Sequence, residues 1–136
     1  MDAIKEEKVY TMEDIYSLPD GERAELIDGK IYYMAPSSRK HQSISMFLSR
    51  VIGNYIESNN GTCEVYAAPF AVFLNENDIN YLEPDISVIC DTSKLDEKGC
   101  HGAPDWIIEI VSSPPFLLSE VSEFSEFSED SDISED

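Results

Sequence analysis

Two carboxylates stand where apolar strands should carry none, and they constrain the fold more than any other feature. Glu83-Pro84-Asp85 leads into Ile86-Ser87-Val88-Ile89, and Glu109 interrupts Ile107-Ile108-Glu109-Ile110-Val111. An ionised carboxylate held away from water is costly unless it is paired or binds a cation. Ile107 to Val111 is apolar on both faces and reads as an interior strand. Alternation puts Asp85, Ser87 and Ile89 on one strand face and Ile86, Val88 and Cys90 on the other. Two such carboxylates on neighbouring strands would suit a hard divalent cation, because Mg²⁺ takes oxygen ligands and keeps several waters.

The rest of the chain supplies the scaffold. Thr11 to Leu18 opens with a capping hydroxyl, carries Asp14 three residues on, and reads as a short amphipathic helix stopped by Pro19. Ala24 to Ile27 and Lys30 to Met34 flank Asp28-Gly29 and read as a tight hairpin. Lys40 to Ser58 places Ile44, Phe47, Leu48, Val51, Ile52, Tyr55 and Ile56 at helical spacing, one apolar stripe facing a core. Val65 to Leu74 reads as a strand bent at Pro69. Leu82 to Cys90 and Asp105 to Val111 are two further strands, joined by a loop. The order α-β-β-α-β-β-β is a mixed α/β arrangement.

Charge divides the chain. The 136 residues carry a formal net charge of -19. Residues 115–136 hold eight acids and no Lys or Arg, which leaves twenty acids against nine bases, or -11, for the rest. The acidic body disfavours nonspecific adhesion to nucleic acid or anionic membrane. A phosphate partner would need a metal ion or a local basic patch. From Ser119 the sequence runs in triplets such as Ser-Glu-Val and Ser-Glu-Phe. Period three fits neither helix nor strand, so 115–136 reads as a disordered acidic tail after a single domain over 1–114. Cys63, Cys90 and Cys100 fit no common zinc spacing and read as unpaired thiols of a reduced cytoplasm. No stretch reads as a membrane span.

Four ordered motifs carry a resemblance: Arg23 to Tyr32, Pro36-Ser37 followed by His41, Glu83 to Val88, and Gly102 to Ser112. Together they resemble the Uma2 family, endonucleases with a restriction-endonuclease-like fold in the PD-(D/E)xK superfamily, over roughly residues 8–114. The resemblance implies a restriction-endonuclease-like core and hydrolysis of DNA with a carboxylate-bound Mg²⁺ or Mn²⁺. It makes Asp85 and Glu109 the acidic metal ligands and the Ile110 carbonyl a third. It makes Glu25 the upstream family glutamate, which holds water at the metal, and His41 the family histidine. One position departs from the pattern. The superfamily lysine two residues after the second acid corresponds to Val111, and no Lys or Arg follows Lys98. The family pattern has its lysine, in a helix, and two more strands further on. The resemblance therefore implies a C-terminally truncated core, either an endonuclease or an inactive derivative that binds a partner. The strand edge left open would be covered in a homodimer or leave the fold marginally stable.

Overall fold

The computed structural model describes residues 8–111. The acidic triplet tail expected over 115–136 lies outside the described residues. Element order begins as expected. Helix α1 (Met12–Tyr16) is followed by strands β1 (Arg23–Ile27) and β2 (Lys30–Met34), then the long helix α2 (Arg39–Ser58). Strands β3 (Glu64–Ala67), β4 (Ala71–Phe73) and β5 (Ile86–Ile89) come next, and β6 (Leu95–Asp96), β7 (Gly99–His101) and β8 (Trp106–Ile108) close the described chain.

Local chemistry explains the first half. The Asp14 carboxylate accepts the Thr11 N–H at 2.8 Å and caps α1. The β1–β2 ladder runs from Arg23 opposite Met34 to Ile27 opposite Lys30, so only Asp28 and Gly29 form the turn. Both have positive φ, 50° and 78°, as a two-residue hairpin of this twist requires. A Cβ on Gly29 would meet Val9 Cγ1 at 2.6 Å, so glycine is required twice over. Ser38 caps α2, its hydroxyl accepting the His41 N–H at 3.0 Å.

The strands form three small sheets that are stitched together. Strand β5 is central, antiparallel to β3 on one side and to β8 on the other. All four β5 residues are buried. Strand β4 lies parallel to β7, which pairs antiparallel with β6. The segment before Glu83 links the parts. Tyr81 bridges Leu26 of β1, and Leu82 bridges Val72 of β4. Val72, Ile89 and Cys100 form the core, with Tyr66, Phe70, Leu82 and Leu95 packed around it.

Five expectations are corrected. The single strand over 65–74 is two strands in different sheets, because Pro69 has no N–H to carry a ladder through the bend. The strand expected from Leu82 begins only at Ile86. The loop over 91–104 contains the β6–β7 hairpin; Gly99, at φ 149°, lies so close to Ala71 that a Cβ would sit 2.2 Å from its carbonyl oxygen. The stripe of α2 is not sealed in a core: no residue of α2 is fully buried, and Phe47, Val51 and Tyr55 stay exposed. Strand β8 is an edge strand among the described residues, with Trp106 53% exposed.

The cysteine reading is corrected as well. Glu64 faces Ile89 in the β3–β5 register, so Cys63 and Cys90 face each other one step further on, and they form a disulfide. Twenty-seven residues of sequence separate them, so spacing gave no hint of the pairing. Cys100 is free and buried.

Candidate active site

Antiparallel register brings the two anomalous carboxylates together. Ile86 pairs with Ile108, so Asp85 and Glu109 stand opposite each other just beyond the paired segment. The Asp85 N–H points at Glu109 Oε1 at 3.4 Å, long for a hydrogen bond. The Ile110 N–H donates to Asp85 Oδ2 at 2.7 Å. His41 Nε2, from the first turn of α2, lies 3.1 Å from Asp85 Oδ1. Both oxygens of Asp85 are thus fixed, and its side chain is only 13% exposed.

Burial pushes the Glu109 carboxyl up from its ordinary value, and the charge of Asp85 adds to that push, with Glu25 contributing further. A buried carboxyl beside another carboxylate is disfavoured in its charged form, which is the pattern of two acids sharing one site.

A second carboxylate pair sits behind the first. On β1, Ala24 and Leu26 point into the core while Arg23 and Glu25 lie on the other face. Glu25 Oε2 accepts the Glu83 N–H at 2.8 Å. Arg23 Nε donates to Glu83 Oε2 at 3.1 Å, and the Tyr81 hydroxyl approaches Glu83 Oε1 at 3.4 Å. Glu83 is buried, and its charge is offset by Arg23. Burial, and then Glu83, push the Tyr81 hydroxyl well above its ordinary value.

These elements enclose a cleft of about 280 Å³, lined by Arg23, Pro36, Ser38, His41, Asp85, Glu109 and Ile110 among others. An adjoining cavity of about 610 Å³ shares Arg23, Met34, Ala35 and Pro36 with it. Among the described residues Arg23 is the only Lys or Arg lining the first cleft. Lys94 is turned elsewhere, its Nζ donating to the Ala103 carbonyl at 2.9 Å.

Of the residues singled out from sequence, Asp85, Glu109, Ile110 and His41 line this cleft, and Glu25 does not line it but accepts the N–H of Glu83, the partner of Arg23. Ile110 is placed here by its N–H on Asp85, whereas the resemblance concerned its carbonyl. Among the described residues, no three His, Cys, Asp or Glu side chains are arranged as a ready metal cage. Two residues escaped the sequence reading as site members, Arg23 and Glu83. The alternation of Arg23 with Glu25 on β1 was the available signal; the Arg23–Glu83 pair spans 60 positions and could not be read.

Comparison with known proteins agrees with the architecture. The family model described as "Uma2: Putative restriction endonuclease" matches residues 9–115. An uncharacterized protein of Synechocystis sp. is 32% identical over 91 residues, 67% of this chain. The match spans only 46% of that relative's length. A crystal structure from Anabaena variabilis, titled as a "putative nuclease belonging to DUF820", superposes with a TM-score of 0.57 at 24% identity. That superposition covers 82% of this chain and 64% of the other, and shows a shared fold.

Proposed function

Since the chain belongs to the Uma2 family, we infer that it is built as a metal-dependent endonuclease, with DNA phosphodiesters as substrate. One observation carries the reading: Asp85 and Glu109 oppose each other on neighbouring strands at one cleft, and the Glu109 carboxyl is raised by burial and by Asp85. That donor set fits a hard cation. Two carboxylates suffice for Mg²⁺ or Mn²⁺, which completes its shell with water, so the lack of a third acidic ligand is no obstacle.

Asp85 and Glu109 would hold the ion. When bound, it would supply Lewis-acid charge to the phosphate and lower the pKa of water in the cleft. The protein's own groups prepare the place. The Ile110 N–H and His41 fix the two oxygens of Asp85, which holds the carboxylate in one orientation. Glu25, anchored on the Glu83 N–H, keeps a further acceptor behind the pair, where it can orient water. Ser38 holds His41 by anchoring the start of α2.

A second reading has its own observation. Outside residues 115–136 the chain still carries a formal charge of -11, which disfavours approach to DNA and favours an inactive derivative that binds a partner. Nicking of supercoiled plasmid by the full chain in Mn²⁺ separates the two. The endonuclease reading expects cleavage that disappears in EDTA and in Asp85→Ala, while equal activity in wild type and Asp85→Ala, or none in either, would favour the derivative. No helix of the described residues is long and apolar enough to cross a membrane. The cytoplasmic expectation meets a counter-observation in the Cys63–Cys90 disulfide, since such bonds are rare in a reducing compartment. Alkylation of thiols by lysis directly into denaturant, followed by intact mass, decides it: one alkylated cysteine indicates the disulfide, and three indicate a reduced chain.

A further inference from the structure

We propose that Arg23 is the phosphate-binding residue of this cleft, supplying positive charge beside the two carboxylates. The proposal rests on the nuclease reading above and assigns its phosphate contact. The geometry is specific. Arg23 Nε is committed to Glu83 Oε2 at 3.1 Å, but Nη2 has no hydrogen-bond partner and is closed off from water. Only one of its donors is therefore committed to a protein acceptor, and the guanidinium is incompletely satisfied by Glu83 alone. Its side chain nevertheless remains 31% exposed on the cleft wall.

Charge and shape point to the same ligand. Asp85 and Glu109 line the cleft, with Glu83 held against its Arg23 wall, and a phosphodiester entering it would be repelled by this negative charge. A cation between Asp85 and Glu109 would offset part of that repulsion, and among the described residues Arg23 is the only Lys or Arg lining the same space. Guanidinium presents a planar fork of donors that matches phosphate oxygens, unlike the compact charge of a lysine. Glu83 fixes the plane by holding Nε, and the exposed part of the side chain faces the cleft where a phosphate oxygen can reach it. Arg23 also lines the adjoining 610 Å³ cavity, so a phosphate on it lies where a strand could run from one cavity to the other.

The ordinary alternative is that Arg23 only neutralises buried Glu83. Binding of a fluorescein-labelled DNA duplex, followed by anisotropy across a salt series in Ca²⁺, separates the two roles. Each phosphate contact adds about one unit to the slope of log K against log salt. The expected result is a slope lower by about one unit in Arg23→Ala and restored in Arg23→Lys, with weaker binding in the former. If Arg23→Ala fails to fold, Arg23→Gln combined with Glu83→Gln removes both charges of the pair and takes its place. An unchanged slope in a folded variant overturns the assignment, whatever happens to its melting temperature. A wild-type chain that binds no duplex overturns it too. A chain that shows the slope change but no Mn²⁺-dependent cleavage supports Arg23 as a phosphate contact and removes the hydrolytic reading alone. Cleavage and slope untouched by either Arg23 variant do the reverse.

Discussion

Burial and the neighbouring Asp85 both raise the Glu109 carboxyl, and this gives a pH signature. In the unfolded chain Glu109 releases its proton in the ordinary carboxylate range, whereas the folded chain holds it to higher pH. The folded state therefore binds more protons in that window, and its stability falls as pH rises through the raised value. Glu109→Gln keeps the acceptor toward the Asp85 N–H and removes the charge. In EDTA this variant should melt above wild type at neutral pH, and the gain should vanish below the ordinary carboxylate range. Circular dichroism melts at several pH values measure it, and an equal difference at every pH would contradict the electrostatic account. Asp85 and Glu109 were legible in the sequence because a charge inside an apolar run breaks the pattern of a buried strand. Their opposition could not be read, because it depends on the β5–β8 register. Arg23 and Glu83 stayed hidden for the same reason, a contact between distant segments.

At the scale of elements, the hairpin that carries Arg23 and Glu25 is set by its turn. Gly21 and Gly29 both have positive φ, but a Cβ meets nothing at Gly21 and meets Val9 at 2.6 Å at Gly29. Gly21→Ala should cost about 1 kcal/mol, the left-handed penalty alone. Gly29→Ala should cost more, about 2–4 kcal/mol, because overpacking adds to it. Urea unfolding compares them, and equal losses would show that Val9 yields without cost. The Asp-Gly turn and the periodicity of α2 were local signals, and both elements were readable. The burial of α2 was not, because periodicity reports which face is apolar and not whether anything covers it. The β6–β7 hairpin escaped for a different reason: its strands are two and three residues long, too short to show alternation.

Across the whole molecule, apolar surface and charge pull in different directions. Trp106 and Val111 at the β8 edge, with Phe47 and Tyr55 on α2, remain exposed among the described residues. Exposed apolar surface of this kind next to an open strand edge favours association with a second copy. The formal charge of -19 opposes it at low salt. Sedimentation should therefore show self-association that strengthens with salt, and a monomer at every concentration and salt would contradict this. The same charge gives the proposed cation its part in the endonuclease reading, since an acidic chain approaches DNA only where that charge is offset. Calorimetric titration of Mn²⁺ into the full chain tests the account most directly. It predicts one binding event at neutral pH that is abolished in Asp85→Ala and weakened in Glu109→Gln. No binding by wild type, or binding that survives both changes intact, would contradict it.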